Sequence, residues 1–226
     1  MALHLKTVKS FVLRQGKITI GQQNAINNHY PQYGINIDNQ VLDLNKIFAR
    51  TSDKVIEIGF GMGDATWQIA KNNPNIDYLA FEVHSPGVGS LLMKIIENKI
   101  DNIRLIQRDA KDVLLNNIKN DSIHGVHIFF PDPWHKKRHN KRRLLQSDFI
   151  DVLIAKLKIN GYIHIATDWE DYAQEILELM NNKSQLINHS LDGKYIARPD
   201  FRPLTKFEQR GINLGHKVFD LYFIKH

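Results

Sequence analysis

Pro131-Asp132-Pro133-Trp134 ends an apolar run at 125–130 and leads straight into His135-Lys136-Lys137-Arg138-His139-Asn140-Lys141-Arg142-Arg143. Prolines on both sides of Asp132 restrict the backbone, so its carboxylate and carbonyl can be held towards a planar base. A neighbouring aromatic can stack on that base, a contact worth roughly 1–3 kcal/mol. Six Lys and Arg then occupy the eight positions 136–143, with no acid among them. The formal net charge of the whole chain is +6, so its excess is local to this run and points to a polyanionic partner docking beside Asp132. Cations that neutralise phosphates give strong, salt-dependent affinity that is indifferent to sequence, so the run can deliver nucleic acid but cannot choose a base. Taken alone, the tetrapeptide also reads as a rigid turn around a buried Trp, and the cations as a solvated loop. His135 and His139 have the i,i+4 spacing of a metal pair, but no third ligand is evident and cationic neighbours disfavour a metal.

A second constellation lies upstream. Glu57-Ile58-Gly59-Phe60-Gly61-Met62-Gly63 carries a buried strand into a glycine turn and then a helix. The dinucleotide fingerprint is incomplete in either register, because Asp stands at 64 and Thr at 66. That argues against a pyrophosphate on the helix N-terminus and disfavours a nicotinamide dehydrogenase. A phosphate-free cofactor such as S-adenosylmethionine would not need that site. Glu82 ends the next strand, where an acid can accept from both ribose hydroxyls, and Asp109 follows the third, placed to meet an adenine edge. Each acid alone could be a helix cap or a loop residue. Together, Glu57, Glu82, Asp109 and Asp132 fall at the C-terminal ends of successive strands, the edge where open α/β sheets bind ligands, and a sulfonium suits such a negative pocket.

The elements that must position these groups follow from residue 54 onward. Short β-branched runs at 55–58, 78–83, 103–107, 125–130, 161–167 and 217–224, with a weaker one at 186–189, alternate with helical stretches at 64–73, 87–99, 147–157 and 172–180. Asp64 and Ser147 are expected N-caps. This alternation predicts an α/β fold built on one doubly wound, mostly parallel sheet. Residues 1–50 read as a basic N-terminal arm, with Lys6, Lys9, Arg14 and Lys17 and no acid before Asp38, ahead of a domain at 51–226.

At 226 residues the chain is long enough for one well-filled domain. No apolar run approaches the roughly 20 residues of a bilayer span and no signal-type apolar stretch opens the chain, so a soluble cytoplasmic protein without a membrane partner is expected. Cysteine is absent, which removes disulfides, thiolate zinc sites and any covalent route needing a Cys nucleophile, including the usual one to C5 of a pyrimidine.

The Pro-flanked Asp before an aromatic is similar to the loop of amino-group methyltransferases. Longer segments resemble one family closely, the bacterial tRNA (guanine-N7)-methyltransferases: E-I-G-F-G-M-G (57–63), F-E-V-H-S-P-G-V-G (81–89), R-D-A (108–110), F-P-D-P-W-H-K-K-R-H-N-K-R-R (130–143), A-T-D-W (166–169) and R-P-L-T-K-F-E-Q-R-G (202–211). S-F-V-L-R-Q-G-K-I-T (10–19) also looks like the family's N-terminal segment. The resemblance implies a Rossmann-like class I fold with an antiparallel C-terminal strand, S-adenosyl-L-methionine as cofactor, and methylation of the guanine at tRNA position 46 in the variable loop. It assigns the cofactor to Glu57, Glu82, Asp109 and Asp132, beside the turn glycines Gly59, Gly61 and Gly63, with Asp132 catalytic. It assigns the tRNA substrate to Lys136, Asp168, Thr205, Lys206, Phe207 and Glu208. Lys137, Arg138, Lys141, Arg142 and Arg143 are then expected on the RNA backbone. Methylation of an exocyclic amine, and a non-catalytic tRNA-binding module, are the rival readings, and monomer and homodimer are equally compatible with these residues.

Overall fold

The computed structural model describes residues 9–12 and 16–226. Lys6 and Arg14 of the basic arm lie outside the described residues. Seven strands form one sheet: β1 (Asp53–Ile58), β2 (Ile76–Phe81), β3 (Ile103–Ile106), β4 (Ile123–Phe129), β5 (Leu157–Thr167), β6 (Leu186–Asn188) and β7 (Phe219–Lys225). Their order is β3-β2-β1-β4-β5-β7-β6. Only β7 runs against its neighbours, pairing antiparallel with both β5 and β6. The strand order reverses between β1 and β4, so the crevice at their carboxyl ends is the natural ligand site.

Strand alternation sorts side chains between two cores. Ile56, Ile58, Val126, Ile128, Ile163 and Ile165 meet α5 (Ala110–Asn117), α6 (Ser147–Lys156) and α7 (Glu170–Asn181). Val55, Tyr78, Ala80 and Leu105 face the other way, onto α1 (Ile20–Tyr33), α3 (Asp64–Asn72) and α4 (Ser85–Asn98). Burial on both faces explains why the central strands read as continuous apolar runs. On the second face, β4 and β5 turn polar: Glu57 pairs in register with His127, and His127 with His164. Among the described residues no crossover helix covers that patch. Phe201 stacks on His127 at 5.7 Å between ring centroids and meets His164 edge-on at 5.4 Å.

Several local expectations need correction. Gly63, left-handed at φ 75°, precedes α3, and Asp64 is its first residue, where a negative side chain favours the helix dipole. Gln146 rather than Ser147 flanks α6. Helix α1, α2 (Leu44–Phe48), α5 and α8 (Lys206–Asn213) were not anticipated. Helix α1 had a readable signal in the reciprocal capping box of Thr19 and Gln22, but its Asn- and Gln-rich body is weakly amphipathic and stands by packing on α4.

Close backbone approach holds the glycine turn. A Cβ added at Gly87, in the first turn of α4, would lie 2.2 Å from the Gly61 carbonyl oxygen and 3.2 Å from Glu82 Cγ. Gly87→Ala is therefore expected to destabilise the protein by about 1–3 kcal/mol. Gly21→Ala, whose nearest neighbour is Met93 Cε at 3.7 Å, should stabilise it by roughly 0.4–1 kcal/mol. Denaturant unfolding of the two variants checks both signs.

Candidate functional site

The site forms where β1 to β5 end. Gly61 takes a φ of 56° and donates its N–H to Glu82 Oε2 at 2.9 Å. Glu82 Oε1 accepts from the N–H groups of Val83 (2.8 Å) and His84 (3.1 Å). The carboxylate thus ties the glycine turn to the start of α4 while lining a cavity at the strand ends. His84 Nδ1 lies 2.9 Å from Glu82 Oε1 and its Nε2 lies 3.1 Å from the Val12 carbonyl. Both partners are acceptors, which favours a proton on each nitrogen. Burial opposes that charge, but the bonds to Glu82 and Val12 outweigh it and raise the pKa.

Two cavities meet over this edge. One of about 400 Å³ holds Glu82, Asp109, Asp132, Asp168 and Phe207. The other, about 300 Å³, holds Glu57, Gly61, Met62 and Thr205. Gly59, Phe129, Phe130 and Phe207 border both. Glu57 is only 3 % exposed and its Oε2 has no hydrogen-bond partner. Burial pushes its pKa up to about 7, and the nearby negative Glu82 acts the same way. Asp109 caps α5, accepting from Lys111 N–H at 3.1 Å, and its pKa is raised by burial. An orphaned buried carboxyl oxygen, a turn with open space above Gly59 and Gly61, and two further acids fit a cationic, phosphate-free cofactor.

The Asp132 loop is held in a strained form. Phe130 and Trp134, on either side of Pro131–Pro133, take φ values of 52° and 48°, a region that non-glycine residues seldom occupy. Phe130 N–H is anchored on the Ala166 carbonyl at 2.7 Å, and Trp134 Nε1 donates to the Ser10 carbonyl at 3.2 Å. Arg142 covers the Trp134 ring at 5.1 Å and His139 meets it edge-on, so this indole is a packed wall rather than an open stacking face. The exposed aromatic over the cavities is Phe207, 62 % accessible and edge-on to Phe130 at 5.3 Å.

The basic run continues as a 3₁₀ turn, Lys137–Arg142. Lys136, Lys137, Arg138 and Lys141 are exposed and Arg142 is half-buried. Arg143 is not available to a phosphate: its side chain is 1 % exposed and its guanidinium binds Asp171 and Glu175. Glu208 is likewise withdrawn from substrate contact. It lies buried under α8, accepting from Arg202 at 2.7 and 2.9 Å, while Arg202 also grips Asp220 on β7 through two 2.8 Å bonds. Thr205 caps α8, Lys206 is exposed on its first turn, and Asp168 lies 3.5 Å from His216 Nδ1. Sequence reasoning missed Phe11, which lines the 400 Å³ cavity, and also Phe130 and Arg202, and it left His84 without a role. Only Arg202 and His84 had a signal, as charged or titratable members of the quoted segments. Among the described residues no group of three or more His, Asp or Glu is placed to hold a metal ion.

Glu57 generates a pH-dependent expectation. The unfolded chain releases this proton near 4.5 and the folded chain near 7, so the folded state binds more protons in between and loses stability as pH rises. Glu57→Gln removes that penalty. The variant should exceed the native chain in stability by a margin that opens between pH 4.5 and 7 and then holds, up to about 3 kcal/mol, while losing affinity for a cationic cofactor. Thermal unfolding across pH and titration calorimetry at pH 8 check the two halves.

Residues 51–221 match the family model described as a putative methyltransferase. A tRNA (guanine-N(7)-)-methyltransferase of Chromobacterium violaceum is 54 % identical over 218 residues, covering 96 % of both chains. The protein of the same name from Nitrosospira multiformis is 52 % identical over 97 % of this chain and 95 % of its own, and that of Neisseria meningitidis serogroup A is 51 % identical over 98 % and 92 %. Among solved structures, the 16S rRNA methyltransferase KamB superposes with a TM-score of 0.60 at 13 % identity, over 82 % of this chain and 95 % of that one, a likeness of fold. With half its residues identical to these relatives along nearly its full length, the chain belongs to the tRNA (guanine-N(7)-)-methyltransferase family.

Proposed function

We propose that this protein transfers a methyl group from S-adenosyl-L-methionine to N7 of a guanine in the variable loop of tRNA, at position 46, in the cytoplasm. The observation that carries the reading is that Asp132 and Asp168 line the same cavity as Glu82 and Asp109, so base-facing and cofactor-facing carboxylates share one chamber. Among the described residues no helix is long and apolar enough to cross a membrane.

When bound, the cofactor supplies an activated methyl group on a positively charged sulfur. Guanine N7 has a free lone pair and needs no proton removed, so no general base is required. Catalysis then rests on holding donor and acceptor in line, an effect able to supply roughly 7–11 kcal/mol. Glu82 and Asp109 would hold the cofactor's ribose and base, and Glu57 its cationic end. Asp132, with Asp168, accepts hydrogen bonds from guanine N1–H or its exocyclic amine. These bonds strengthen as positive charge moves onto the purine, so they favour the transition state over the ground state. Phe130 and Phe207 wall the cavity against water, and Lys136, Lys137, Arg138, Lys141 and Arg142 hold phosphates. The target base must leave its stack to enter.

Incubation with unmodified tRNA and methyl-labelled cofactor, followed by borohydride reduction and aniline cleavage, should place the label on one variable-loop N7-methylguanine. Label confined to adenine or an exocyclic amine sinks the assignment. Asp132→Ala should lower kcat at least a hundredfold with tRNA affinity within about threefold. Neutralising Lys136, Lys137 and Arg138 should flatten the log–log salt dependence of tRNA binding by roughly 0.7–0.9 for each phosphate that is no longer neutralised.

A further inference from the structure

We infer that Arg143, the last cation of the basic run, is a positioning residue that braces the Asp132 loop and makes no contact with RNA. Its Nε donates to the Pro133 carbonyl at 2.9 Å, one Nη to Asp171 Oδ2 at 2.7 Å, and the other to Glu175. The guanidinium also lies over the Tyr172 ring at 4.7 Å, and the Tyr172 hydroxyl accepts from Leu145 N–H at 3.1 Å. Asp171, Tyr172 and Glu175 belong to α7, which begins two residues after Asp168. Arg143 therefore joins the loop after β4 to the helix after β5, and so sets Asp132 against Asp168.

The loop needs such a brace. Two of the three residues 131–133 are prolines with no N–H to donate, and the flanking Phe130 and Trp134 are in left-handed conformations that persist only where the surroundings over-determine them. The Ala166 carbonyl pins Phe130 at one end. At the other end the Pro133 carbonyl is held by Arg143. Only a guanidinium offers a planar fork of donors able to reach a backbone carbonyl and two carboxylates at once; an ammonium is a single point. The exposed neighbours Lys136 to Arg138 have no comparable set of internal partners among the described residues, which divides one continuous basic run into a surface part and a structural part.

The test uses Arg143→Lys and, in a second protein, Asp171→Asn with Glu175→Gln, which loosens the brace while leaving every cation in place. Both should lower kcat at least tenfold, leave KM and the salt slope of tRNA binding unchanged, and speed exchange of the Phe130 amide, which the Ala166 carbonyl holds. Full kcat in Arg143→Lys, whose ammonium keeps the charge but not the planar fork, would overturn the inference. So would tighter tRNA binding by the Asn/Gln protein at unchanged kcat, which also decides the matter if the lysine variant fails to fold. The inference rests on the catalytic reading of Asp132. If Asp132→Ala alone keeps full rate, that reading falls, while the exchange rates still decide whether Arg143 braces the loop.

Discussion

The Arg202 guanidinium cannot lose its charge, and at 1 % exposure it has no water to share it with. Its burial is tolerable only because Glu208 and Asp220 each meet it with two oxygens, and Asp220 also faces His164 Nε2 at 2.7 Å. These bonds outweigh the cost of burial on Asp220 and hold its carboxyl below the usual range. A buried pair of this kind is weak evidence for net stability, yet removing one partner typically costs about 3–5 kcal/mol, so it enforces geometry. Here it fastens α8 to β7 and, through His164, to β5. Phe207 is thereby fixed above the two cavities, and the polar patch on β4 and β5 is closed by residues 201–208 instead of a crossover helix.

The molecule keeps opposite charges apart by depth. Acids line the crevice, where burial raises Glu57 and Asp109 above their ordinary range and so favours a cation arriving there. The free cations sit outside it on a 3₁₀ turn with no buried residue. A polyanion drawn to the exposed cations thus meets a chamber lined by acids. The strained loop from Phe130 to Trp134 is the boundary between the two fields. Its strain is sustained by contacts from three sides: the Ala166 carbonyl, the Ser10 carbonyl and the Arg143 side chain.

Much of this was legible along the chain. Strands buried on both faces announce themselves as apolar runs, and acids that end such runs must share an edge in a parallel sheet, so Glu57, Glu82, Asp109 and Asp132 could be grouped before any coordinates. Local chemistry misled where neighbours decide. Arg142 and Arg143 are adjacent and chemically alike, yet one covers an indole at the surface and the other is buried. Lys206 and Glu208 are two residues apart on one helix, so one faces solvent and the other the core. Trp134 reads as a stacking surface until the N-terminal segment is seen to receive its N–H.

The sequence by itself determined the strand periodicity, the acids at the strand ends, the rigid Pro-flanked carboxylate and the concentration of positive charge, because each is a property of residue type and spacing. Tertiary structure alone decided which charges are free and which are consumed. That choice depends on whether water or a carboxylate from a distant strand or helix surrounds the group, and residues far apart in the chain, such as Arg143 with Glu175 and Arg202 with Asp220, meet only once the sheet is wound.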